Sequence, residues 1–113
     1  MNTKLYTALL VTLLSVACSI DERDFPEKYG ETYCKKWKSC DKDDFNDVWE
    51  EGLNQCVDAT ADIIETLFDV STALGGEYDA GSAGRCLSDL RSTSCDDLDN
   101  VMDASNSCDD VMD

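Results

Sequence analysis

Six cysteines, Cys34, Cys40, Cys56, Cys86, Cys95 and Cys108, are the residues best equipped for chemistry in this 113-residue chain, which contains no histidine. They are separated by five, fifteen, twenty-nine, eight and twelve residues. No pair stands as C-x-x-C, so the thioredoxin-type redox site and the ligand spacing of a zinc finger are both missing. In an exported chain the better use of such thiols is three disulfides, for which six cysteines allow fifteen pairings. Cys34 and Cys40 fall in one helical stretch, about 9 Å apart along its axis and on different faces. That exceeds the reach of a disulfide, so both must bond to other elements, and twelve pairings remain open.

Carboxylates are the second chemical resource: 25 acidic residues against nine basic give a net charge of -16. Such a surface repels phosphate backbones, which excludes nucleic-acid binding. The lysines of the first helix form the one candidate anion-facing patch, and a solvated helix face is the better account of them. Without histidine the usual serine or cysteine triad has no base. Gly81-Ser82-Ala83-Gly84 lacks the preceding strand and the lysine of a phosphate loop. No catalytic residue and no resident cofactor or metal is therefore expected, and the alternative is binding of a divalent cation. Asp41, Asp43 and Asp47 take the first, third and seventh places of an EF-hand loop, but Phe45, Asn46 and Gly52 occupy the fifth, sixth and twelfth. Asp96, Asp97, Asp99 and Asp103, or Asp109, Asp110 and Asp113, offer looser oxygen sets.

The seventh cysteine, Cys18, follows an export signal. Lys4 precedes an apolar run over residues 5–16, and Asp21-Glu22-Arg23-Asp24 ends it short of the ~20 residues that would span a bilayer. Ser15-Val16-Ala17-Cys18 resembles the lipobox of bacterial lipoproteins, in which the cysteine is lipidated and becomes the N-terminus. Leu14 stands one place early, with Ser15 in the slot leucine usually takes. Cleavage after Ala17 leaves 96 residues with eight basic and 25 acidic, net -17. Lipidation at Cys18 also explains the odd cysteine count, since it leaves six to pair. Ordinary secretion with a free or intermolecular Cys18 thiol is the other reading. The expected organisation is a signal peptide at 1–17, a lipidated N-terminus and short polar tether at 18–24, and one stapled domain at 25–113.

The elements that must hold these cysteines are helical. Phe25, Tyr29, Tyr33 and Trp37 recur every four residues, with Pro26 suited to a first turn, and predict a helix over 26–39. From Phe45 to Leu74 apolar residues keep three- and four-residue spacing, with Gly52 a place to kink or break, and Gly75-Gly76 a stop. Asp79 caps a third helix whose small residues Gly81 to Gly84 admit a close neighbour. Ser94-Cys95-Asp96-Asp97 has the form of a capping box opening a short fourth helix, followed by a disulfide-held tail. No segment alternates with period two long enough for a strand. The fold class expected is all-α, a small bundle of about four helices stapled by three disulfides.

A saposin is also small, acidic, helical and triply bridged, but its paired terminal cysteines are missing here. The chain resembles the small cysteine-rich helical exported proteins and lipoproteins of myxobacteria and related Gram-negative bacteria. The resemblance rests on Tyr33-Cys34, Cys40, Phe45, Cys56, Tyr78-Asp79, Ala83-x-x-Cys86-Leu87, Leu90, Cys95-x-x-Leu98 and Cys108. It implies an address in the cell envelope and carries no activity. The expected role is a non-catalytic envelope lipoprotein, held in the membrane by its N-terminal lipid and able to bind another envelope protein. Ser19 resembles the outer-membrane choice of enteric lipoproteins. A freely secreted small effector or inhibitor is the alternative.

Overall fold

The computed structural model describes residues 19–100 and 106–112. The expected lipidation site Cys18, the leader before it, and the carboxylates Asp103 and Asp113 lie outside the described residues.

The first helix, α1 (Phe25–Cys40), begins without a side-chain cap. A tight turn replaces the cap: the backbone N–H groups of Asp24 and Phe25 both donate to the Asp21 carbonyl, at 3.0 and 3.1 Å. Asp41 closes α1, donating to the Trp37 carbonyl at 2.8 Å, and its carboxylate opens α2 (Lys42–Val48) by accepting the Asp44 N–H at 3.2 Å. The long apolar period does break at Gly52, which has φ +99°, and α3 (Leu53–Ala73) starts after it.

A Schellman turn ends α3, with Gly76 N–H on the Ser71 carbonyl and Gly75 N–H on that of Thr72. Asp79 then caps α4 (Ala80–Ser92), accepting the Ser82 N–H at 2.9 Å. A 3-10 helix, η1 (Cys95–Asn100), stands where a short α-helix is expected. The reason is local. Ser94 Oγ donates to the Asp97 carboxylate at 2.9 Å instead of accepting from its backbone, and the Asp97 N–H returns three residues to the Ser94 carbonyl. The tail forms α5 (Asn106–Asp109), then pairs Met112 with Tyr78 in an isolated antiparallel bridge, where Asp79 N–H reaches the Val111 carbonyl.

The architecture is thus all-α with three disulfides, and α1 is its spine. Phe25 and Tyr29 pack with Ile64, Ala83, Leu87, Leu90, Leu98 and Val111, while Cys34 joins Phe45, Cys56 and Val57 in a second cluster. Tyr33 and Trp37 touch both clusters, so the four-residue aromatic stripe is core. Rings succeed one another from Phe68 through Phe25, Tyr29, Tyr33 and Trp37 to Phe45, with centroids 5.5 to 6.1 Å apart. α1 and α3 approach closely at Gly30, where a Cβ would lie 2.8 Å from the Val57 carbonyl oxygen. Of the small residues of α4, Ser82 and Ala83 are buried, while Gly81 and Gly84 are partly exposed.

Candidate functional site

The disulfides run from α1 to α3, from α1 to η1 and from α4 to α5. Cys34 bonds Cys56, Cys40 bonds Cys95 and Cys86 bonds Cys108, with Cα separations of 6.0, 5.4 and 4.6 Å. Both cysteines of α1 therefore leave their own helix, and every cysteine from Cys34 onward is used. Bonds of this kind form in oxidising compartments, so the chain belongs outside the cytosol. Among the described residues no helix is long and apolar enough to cross a membrane.

The stretch expected as a short polar tether is partly fastened to the domain. Ile20 packs on the first core cluster, its N–H donates to the Ala80 carbonyl, and its own carbonyl accepts from Tyr78 Oη. An isoleucine among polar neighbours is the signal that could have revealed this. Burial, reinforced by the charges of Asp21, Glu22, Asp24 and Asp79, pushes the Tyr78 phenol up to about 12. Tyr29 is also raised to about 12, by burial first and then by Tyr33. The Ser82 N–H bond holds the Asp79 carboxyl below its usual range.

Two of the carboxylates expected as possible cation ligands, Asp41 and Asp97, have other partners. Asp41 is a helix cap, Asp43 and Asp44 stand in the first turn of α2 where the dipole favours them, and Asp44 accepts the Trp37 indole N–H at 3.1 Å. Asp97 is held by Ser94. Among the described residues no three cysteine or acidic side chains converge as a metal site.

Among the surface depressions of the described residues, two adjoin disulfides. A groove of about 500 Å³ beside Cys40 and Cys95 is lined by Lys35, Lys36, Arg91 and Glu31. Two of its polar groups serve the fold: Lys36 Nζ donates to the Arg91 carbonyl at 2.7 Å, a cation at the C-terminal end of α4, and Arg91 Nε turns back to the Leu87 carbonyl. Lys38 instead lies over the Phe45 ring, 5.9 Å from its centroid. The second depression is apolar, about 230 Å³, and lies between α3 and the tail. Phe25, Tyr29, Phe68 and Met112 line it, Leu67 stands at its α3 side and Asp109 on its tail side.

Sequence periodicity places Val48, Ile63, Leu67 and Leu74 on the apolar side of the second helical region. The structure leaves all four about half exposed or more. The apolar arc of α3 is wider than the core beneath it, and Ile64 and Val57 alone of its large aliphatic side chains are buried. Compared with protein-family models, curated proteins and solved structures, the chain matches none.

Proposed function

We propose that this chain is an exported lipoprotein of the bacterial cell envelope, anchored through Cys18, which acts without catalysis by presenting its helical domain to another envelope protein. The observation that carries the reading is cysteine parity: six of seven cysteines pair with one another, and the seventh follows the lipobox-like Ser15-Val16-Ala17. The docked Ile20 supports it further, because a single residue, Ser19, would separate the lipidated position from the packed domain. A domain held that close to the bilayer is suited to a local partner in the periplasm or at the outer membrane.

Cys18→Ala tests the anchor. In cells fed an alkyne-bearing fatty acid, the unaltered protein is expected to take up label and to sediment with membranes. The variant is expected to lose both. An unlabelled wild-type protein found in the medium would replace this reading with secretion.

A further inference from the structure

Ile63, Leu67 and Val70 of α3 and Leu74 at its C-cap recur at intervals of four, three and four, which puts them on one flank of the helix. They are 61, 50, 53 and 83 % exposed, while Ile64 and Phe68, a third of a turn round, make the contacts with the core. Contiguous apolar exposure of this kind marks an interaction surface more often than scattered single residues do. It does not end at the helix. Leu67 also lines the apolar groove between α3 and the tail, so stripe and groove form one surface. The groove's volume of about 230 Å³ is below the ~300–1,000 Å³ of small-molecule sites, and suits one or two side chains of a docking segment.

Charge selects among occupants. The polar side of α3 carries Asp58, Asp62, Glu65 and Asp69 and no lysine or arginine. Asp109 lines the groove, and Asp110 follows it. Helices that lie in a membrane interface have the opposite polar face, rich in Lys and Arg. A second copy would set equal acidic surfaces together, since residues 43–113 hold nineteen acids against Arg85 and Arg91. A cationic partner is complementary.

We infer that the α3 stripe and the adjoining groove dock an amphipathic helix of a partner protein, with apolar residues at three- and four-residue spacing and Lys or Arg along both flanks. This surface rests on the protein-binding reading above and gives it a partner chemistry.

The probe is a synthetic leucine–lysine peptide patterned as an amphipathic helix of about 16 residues, long enough to follow the stripe. Titrated into the oxidised protein, it is expected to bind one-to-one, to become helical, and to weaken with salt. Leu67→Asn with Val70→Asn is expected to weaken it about tenfold or more, as loss of anchor side chains does. Because Leu67 borders the groove, Leu74→Asn, at the most exposed position, supplies a second variant whose folding is safe; it is expected to weaken binding in the same direction. Equal binding of a scrambled peptide, or equal binding to the variants, would reduce the effect to bulk charge and overturn the inference. So would stripe-dependent binding to phosphatidylcholine vesicles, or stripe-dependent dimerisation in sedimentation. Failure of these titrations while Cys18 still takes up lipid removes the surface alone; loss of lipid uptake removes the anchor alone.

Discussion

At position 30 a single methyl group decides the sign of a mutation. In an open helix interior Gly→Ala gains about 1 kcal/mol. Here the new Cβ meets the Val57 backbone carbonyl at 2.8 Å, a contact that can be relieved only by moving α1 away from α3. Gly30→Ala is therefore expected to destabilise, by about 1–3 kcal/mol as overpacking does, read from the urea midpoint. A midpoint at or above the parent's would show that the helices are not held this close. From sequence this glycine is only a weak helix former, because nothing local reports what lies across from it. The tyrosines give a second residue-level outcome. Tyr29 and Tyr78 have native values near 12 against an ordinary 10, so the fold favours the neutral phenol. Their contribution is complete below pH 10 and is lost as pH rises through about 12. Phenolate absorbance should show two tyrosines ionising late in the native protein, and ordinary ionisation of all of them in denaturant.

Among the elements, the helices were legible wherever period and punctuation agreed. Phe25 to Trp37 marked α1, Gly75-Gly76 ended α3 and Asp79 opened α4. Less legible was how much of an apolar arc the fold would bury. The run from Phe45 to Leu74 keeps its spacing whether or not a neighbour covers it, so Ile63, Leu67 and Leu74 read as core although they stand in solvent. The pairing of the cysteines was also beyond the sequence, because Cys40 meets Cys95 only through the path taken by α2, α3 and α4.

That pairing makes the disulfides unequal. Cys95 is exposed, whereas Cys34, Cys56 and Cys86 have no accessible surface. Limiting reductant under native conditions should open Cys40–Cys95 first, with alkylation found at those two residues before the other four. Preferential labelling of Cys34 or Cys86 would contradict the burial. Replacing Cys40 and Cys95 by alanine reopens a loop spanning 55 residues, and loop-closure entropy sets the expected cost at about 4 kcal/mol in urea unfolding. A loss under ~1 kcal/mol would place the stabilisation elsewhere.

For the whole molecule, charge and covalent form matter more than any single contact. The net charge is -16, with 25 acidic residues against nine basic, and the ion pair of Arg23 with Asp21 is solvent-exposed. Salt therefore has little attraction to screen and much repulsion. The melting temperature should rise between about 0.01 and 0.15 M ionic strength, and a fall would point to ion pairing that matters to the fold. The same balance is the ground on which composition alone argues against nucleic-acid binding. The apolar face and its acidic surroundings needed the fold, because Asp109 and Leu67 are brought together by the Cys86–Cys108 bond and the pairing of the tail with Tyr78.

The most direct test of the anchored, triply bridged reading is the intact mass of detergent-extracted protein, before and after reduction and alkylation. The reading predicts an N-terminus at Cys18 carrying acyl mass, with six alkylatable thiols that become available only after reduction. A Cys18 without acyl mass would contradict the anchor, and six thiols free before reduction would contradict the stapled frame.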